Sequence, residues 1–154
     1  MHWTYAPLSD SDKALPMAVG QYLSPCPTDA CVSRLVFANS SDGYAFGPSL
    51  FVTTDGGATW HNEMTQSVVD LEASGNRVFR IVSPCGTEGQ CTSVLQSQAA
   101  GSTSWATLPA PKEWWGQVVL ASPSLIYLDG DPGSGQGFPG TDLWRSSDGG
   151  NTWT

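Results

Sequence analysis

Two stretches of this chain are written on one template. Leu50-Phe51-Val52-Thr53-Thr54-Asp55-Gly56-Gly57-Ala58-Thr59-Trp60 and Leu143-Trp144-Arg145-Ser146-Ser147-Asp148-Gly149-Gly150-Asn151-Thr152-Trp153 share a hydroxyl residue, an Asp, a Gly pair, a Thr and a Trp at matching positions. A third stretch, Val94 to Trp105, keeps the Gly, the Thr and the Trp, and Ala99 is expected to stand where the others have Asp. Trp3 precedes Pro7 much as Trp105 precedes Pro109, so it reads as the tail of a fourth copy. The intervals Trp3 to Trp60, Trp60 to Trp105 and Trp105 to Trp153 are 57, 45 and 48 residues. A repeat of that length is one supersecondary unit that must bury its apolar face against its neighbours.

Each period alternates apolar and polar residues and breaks at turn residues, which predicts strands. The first unit gives Arg34 to Ala38, Tyr44 to Gly47 and Leu50 to Thr53; the second Val68 to Ala73, Arg77 to Val82 and Ser93 to Gln96; the third Gln117 to Ala121, Leu125 to Leu128 and Leu143 to Arg145. A further strand starting at each Trp makes four. Gly 17 and Pro 11 interrupt the chain too often for long helices. The fold class is therefore all-β: a β-propeller of four-stranded blades, with three blades present in a single segment, residues 1–154, divided near 3–60, 60–105 and 105–153. Propellers close with about four to eight blades. Three make an incomplete ring, so the expected partners are the remaining blades of a longer chain or a second copy that closes it.

The pattern Thr/Ser-x-Asp-x-Gly-x-Thr-Trp resembles the Asp-box, or BNR repeat, of sialidase-like propellers, which include sialidases, other glycoside hydrolases and photosystem assembly factors. In those proteins the box is the tight turn between the third and fourth strands of a blade, and ligands bind on the opposite, top face. The resemblance implies that Thr53, Asp55, Gly57 and Trp60, and likewise Ser146, Asp148, Gly150 and Trp153, are structural. An Asp accepts backbone N–H bonds, Gly supplies positive φ, and Trp packs between sheets. The top face then falls to residues 7–32, 84–92, 109–116 and 129–142.

Charge narrows the partners. Lys and Arg number 6 against 14 Asp and Glu, a net charge of −8, which repels nucleic-acid phosphates. No run approaches the roughly 18 apolar residues of a membrane span, and Met1-His2-Trp3-Thr4-Tyr5 has the form of no signal peptide. The cysteines fall in two close pairs, Cys26/Cys31 and Cys85/Cys91, with no His or further Cys nearby to complete a zinc site. Two local disulfides stapling top-face loops are expected, hence an extracellular or periplasmic location with the signal outside this chain. No metal and no cofactor are expected.

Four residues make the expected ligand site. Trp114 and Trp115 stand in the connection before an inner strand, where indoles suit the apolar face of a sugar ring; Glu113 and Arg34 would bond hydroxyls or a carboxylate from neighbouring blade entrances. The alternative for the two Trp is packing between blades and loops. Asp129-Gly130-Asp131 in its glycine-rich loop lacks the EF-hand pattern, and Asp10 and Asp12 read as solvated. Asn39-Ser40-Ser41 has the form of a glycosylation sequon in a bottom turn, and His2 and His61 stand alone. A sialidase needs an arginine trio, a Tyr nucleophile with Glu, and an Asp acid/base. This chain has only Arg34, Arg77, Arg80 and Arg145, and Phe79-Arg80-Ile81-Val82 has Val82 where the family's Arg-Ile-Pro segment has Pro, so Arg80 reads as a strand residue. The expectation is a secreted, non-catalytic scaffold or a module binding glycan or protein. The alternative is part of a glycoside hydrolase whose catalytic residues lie mostly outside this chain. An assembly factor of the photosystem kind is less favoured, because that resemblance implies an arginine-rich patch.

Overall fold

The computed structural model describes residues 32–47, 49–63, 67–83, 93–111, 114–131 and 142–154. Eleven strands and no helix occur among the described residues. They form three antiparallel meanders. Blade 1 is β1 (Arg34–Phe37), β2 (Gly43–Phe46), β3 (Leu50–Thr53) and β4 (His61–Asn62). Blade 2 is β5 (Ser67–Ser74), β6 (Arg77–Ser83), β7 (Val94–Ala99) and β8 (Ala106–Thr107). Blade 3 is β9 (Trp114–Leu120), β10 (Ile126–Asp131) and β11 (Asp142–Ser146), and two backbone hydrogen bonds, 2.8 and 2.9 Å, join Arg145 of β11 to Thr154. This is a partial propeller, an incomplete ring of three blades. Cys26, Cys31, Cys85, Cys91 and Glu113 lie outside the described residues.

The middle strands β2, β3 and β6 are almost wholly buried, and β6, in the central blade, packs against a neighbouring blade on each face. One core layer joins Tyr44, Phe46, Leu50 and Val52 of blade 1 to Val68, Leu71, Val78 and Val82 of blade 2. The next joins Phe79, Ile81 and Leu95 of blade 2 to Val118, Ile126 and Leu128 of blade 3. Each blade thus turns one set of alternate residues backward and the other forward. At the two ends, Leu35 (59% exposed) and Phe37 point away from the first layer, and Val119 and Leu143 (66% exposed) away from the second.

The two full copies of the repeated template close by the same bonds. Thr53 Oγ1 donates to Asp55 Oδ1 at 2.7 Å and accepts from Gly57 N at 2.9 Å, while Asp55 accepts from Thr59 N and Oγ1 at 2.9 and 2.6 Å. Ser146, Asp148, Gly150 and Thr152 repeat the set at 2.8, 2.8, 2.9 and 2.6 Å. The Thr hydroxyls, then the backbone N–H groups, hold both Asp carboxyls down to about 2. Gly56 and Gly57, and Gly149 and Gly150, take φ of 73, 91, 74 and 90°, a region closed to most side chains. Trp153 packs on the second layer and donates Nε1–H to Gly150 O at 3.2 Å; Trp60 packs edge-on against Phe37.

The third copy of the template sits one residue away from its expected register. Thr53 pairs with Gly43 and Ser146 with Ile126; the equivalent pair in blade 2 is Gln98 with Val78. Gly56, Gly101 and Gly149 then correspond, with φ of 73, 73 and 74°, and Trp60, Trp105 and Trp153 each follow four residues later. Ala100, not Ala99, therefore occupies the Asp position. With no carboxylate there, Gln98 turns to blade 1 and donates Nε2–H to Tyr44 Oη at 3.2 Å. Burial raises the Tyr44 phenol, opposed by the bonds from Gln98 and the Gly101 backbone.

Candidate functional site

The inner strands β1, β5 and β9 bring three polar side chains to one level. Arg34 pairs with Phe46, Asp70 with Ile81 and Gln117 with Asp129, and those partners lie three residues after Gly43, Val78 and Ile126 respectively. In both β5 and β9 the register shifts just before this level, so that Val69 and Gly116 are bulged. A bulge inserts one residue and re-aims the side chains beyond it. Here it lets a carboxylate sit where strict alternation from Val68 would place another residue.

Asp70 is the centre of the group and is 1% exposed. Its Oδ1 is ion-paired and hydrogen-bonded to Arg34 Nη1 of blade 1, and its Oδ2 accepts from the Val118 N–H of blade 3 at 2.8 Å. One side chain therefore ties three inner strands together, capping an N–H on the edge of β9. Arg34 keeps half its side chain (51%) in solvent, so the rest of its planar fork of donors faces outward. Two residues along β5, Glu72 is half-buried; burial raises its carboxyl, Asp70 adds to the rise and Arg34 opposes it. The cluster can grip an anionic or hydrogen-bond-accepting group through Arg34. Asp70, with both oxygens engaged, acts as a brace.

Of the expected ligand residues, Arg34 is thus at the entrance of an inner strand. Trp114 and Trp115 are not in the connecting loop: they open β9, paired with Asp131 and Gly130, immediately before the bulge at Gly116. Their side chains, like all of Glu113, lie outside the described residues. The other arginines do not converge on Arg34. Arg77 donates to Ser97 Oγ at 3.2 Å and lies over the Phe79 ring; Arg80 is buried in β6 between blades 1 and 2; Arg145 is exposed on the forward face of blade 3. His61 is exposed on β4. Asn39 spends its side chain on its own turn, accepting from Ser41 N and Asp42 N at 2.8 and 2.9 Å. No group of three metal-ligating side chains forms among the described residues. Asp70, Glu72 and Gln117 escaped sequence reasoning. The available signal was Asp70 itself, a charge inside the apolar run Val68-Val69-Asp70-Leu71.

No protein-family model and no curated protein matches the sequence. Solved structures do. The structure of YCF48 bound to D1 peptide superposes with a TM-score of 0.62 at 18% identity, over 92% of this chain and 45% of that one. YCF48 from Cyanidioschyzon merolae gives 0.59 at 18%, over 84% and 41%. The GH74 xyloglucanase from Xanthomonas campestris gives 0.59 at 19%, over 80% and 21%. The chain spans less than half the length of each of these propellers, and at such identities the likeness is one of fold.

Proposed function

We propose that this chain is part of an Asp-box propeller of the sialidase-like kind that acts without catalysis, as a module binding a glycan or an extended polypeptide across the mouth formed by β1, β5 and β9. The observation that carries it is Arg34, braced by a buried Asp70 and half open to solvent at a junction of three blades. The hydrogen bonding of the two intact boxes supports the repeat assignment. Trp114 and Trp115, at the start of β9, would supply stacking beside it, with Glu113 as a further polar contact. The remaining blades of a longer chain, or a second copy, would cover the forward face of blade 3, where Val119 and Leu143 are exposed; sedimentation checks this, and a stable monomer of this chain speaks against the second copy.

Binding is tested by screening glycan and peptide arrays, then titrating the best hit against Arg34→Lys, which keeps the charge beside Asp70 and loses the fork. A charge-assisted bond contributes about 1.5–3 kcal/mol, so affinity should fall about 10- to 100-fold with the fold intact. Unaltered binding retires Arg34 as the contact. A hydrolase is the second reading, and one observation favours it: Glu72, with its raised carboxyl, sits beside an ion-paired carboxylate, the division of roles that acid–base pairs use. Release of reducing sugar from xyloglucan or sialosides, lost in Glu72→Gln, would establish that reading over the first.

A further inference from the structure

The two blade junctions are built on one geometry and filled with opposite chemistry. Ala45, Arg80 and Leu128 stand two residues after the equivalent residues Gly43, Val78 and Ile126, and Phe51, Gln96 and Trp144 two before Thr53, Gln98 and Ser146. Glu63 and Leu108 also correspond: each donates its N–H to the third strand of its own blade, to Leu50 O at 2.8 Å and Leu95 O at 2.9 Å. The blade 2/blade 3 junction therefore places Leu108 against Leu128, Trp144 and Trp153, all packed on one apolar layer. The blade 1/blade 2 junction places Glu63 among Arg80, Gln96 and Trp105 at the same positions. There the Arg80 guanidinium lies 3.9 Å over the Trp105 ring, Arg80 Nε donates to Gln96 Oε1 at 2.9 Å, Trp105 Nε1 donates to Glu63 Oε2 at 3.1 Å, and Arg80 Nη1 is 4.0 Å from the same oxygen.

Nothing in the backbone requires a cation there, since leucine fills the equivalent place. Arg80 is 4% exposed, and burial lowers its guanidinium to about 10, with Glu63 opposing. What the cluster does change is which faces can meet. Repeat chains are prone to misassembly and domain swapping because each blade face resembles the next. A forward face carrying Leu108, docked on Arg80, would bury a guanidinium with no carboxylate. A forward face carrying Glu63, docked on Leu128 and Trp153, would bury a carboxylate with no cation, facing an indole N–H already given to Gly150 O. Both mismatches are costly, whereas exchanging the whole set for apolar residues often is not.

We propose that Glu63, Arg80, Gln96 and Trp105 form a pairing key that admits blade 1, and rejects the Leu108-bearing face of another copy, as the neighbour of blade 2's backward face. The test compares the full chain with Arg80→Leu, Glu63→Leu and the triple Glu63→Leu/Arg80→Leu/Gln96→Leu, which makes this junction apolar as the other is. Glu63→Leu leaves the buried Arg80 without its carboxylate and should melt about 10 °C lower; in Arg80→Leu the carboxylate of Glu63 is 26% exposed and keeps its bond from Trp105 Nε1, so the drop should be smaller. The triple variant should melt within a few degrees of the parent. After dilution from denaturant, however, size-exclusion chromatography with light scattering should find its share of multimers raised several-fold over the parent at equal concentration. A triple variant that refolds with the parent's size distribution overturns the key, because stability without misassembly means the charges select nothing. A triple variant as unstable as Glu63→Leu overturns it too, because the cluster is then required for stability alone.

Discussion

Removing the Asp70 carboxylate is the most direct assay of the three-strand brace. Asp70→Ala leaves the Val118 N–H without its acceptor at a buried position, which costs about 1–3 kcal/mol. The lost pairing with Arg34 adds less than about 1 kcal/mol, because that arginine is half in solvent and water screens it. The expected loss is about 1–4 kcal/mol, or roughly 3–15 °C in Tm for a chain of this size. Asp70→Asn keeps a carbonyl for Val118 but turns an NH2 toward Arg34, losing the charge and the bond at that exposed side only, so it should cost about 1 kcal/mol. Thermal melts followed by circular dichroism give the ranking, and hydrogen exchange at the Val118 amide tests its cause: protection should drop in the Ala variant and largely persist in the Asn variant. Equal melting of the two variants, or an unaltered Val118 amide in Asp70→Ala, would refute the brace.

Acid should loosen the boxes. The Asp55 and Asp148 carboxyls sit at about 2 in the fold against an ordinary 3.8, so the stability they confer is complete above pH 4 and drains away as pH falls from there toward 2; the double variant Asp55→Asn/Asp148→Asn should flatten the Tm profile across that window. Glu72 has the opposite sign. Its carboxyl is raised, so it favours the fold at low pH and opposes it as pH climbs through the raised value, and Glu72→Gln should melt higher than the parent at pH 7 and equally at pH 3. Gly150→Ala should destabilise by about 2–3 kcal/mol, since φ is 90° and the new Cβ would lie 2.8 Å from Leu108 Cδ1; Gly149→Ala, with its nearest neighbour at 3.8 Å, should cost less in the same melt.

The blade pattern was legible because the box carries its own punctuation. Gly and Trp at fixed spacing, with Asp in blades 1 and 3, mark the turn after the third strand of every blade, and the alternating runs between those turns supply the other strands. Side-chain direction inside the second blade was not legible. Aligning its box on the leading aliphatics pairs Ser97 with Thr53; the strand register pairs Gln98 with it. That slip is one residue, and a one-residue slip in a sheet exchanges the two faces. Under the shifted alignment Arg80 would share the equivalent position, and therefore the face, of Tyr44, which looks forward from blade 1. In the fold Arg80 looks backward, at Glu63.

The same loss of phase hides the candidate site. Counting by twos along β5 from Val68, which packs in the layer between blades 1 and 2, keeps Asp70 on that side and puts Leu71 on the other. The bulge at Val69 resets the count, so Leu71 packs with Val68 while Asp70 reaches the Val118 N–H of blade 3. Val69 does not announce a bulge by residue type, because Val is an ordinary strand residue; Gly116 does carry a signal, since a glycine inside a strand often marks a bulge, but it reads equally as the end of the connection before β9. The information lies in the comparison of inner strands. Once the hairpins fix Gly43, Val78 and Ile126 as equivalent, Arg34, Asp70 and Gln117 fall on one level, and a buried acid between an arginine and an edge N–H becomes the arrangement that the two bulges serve.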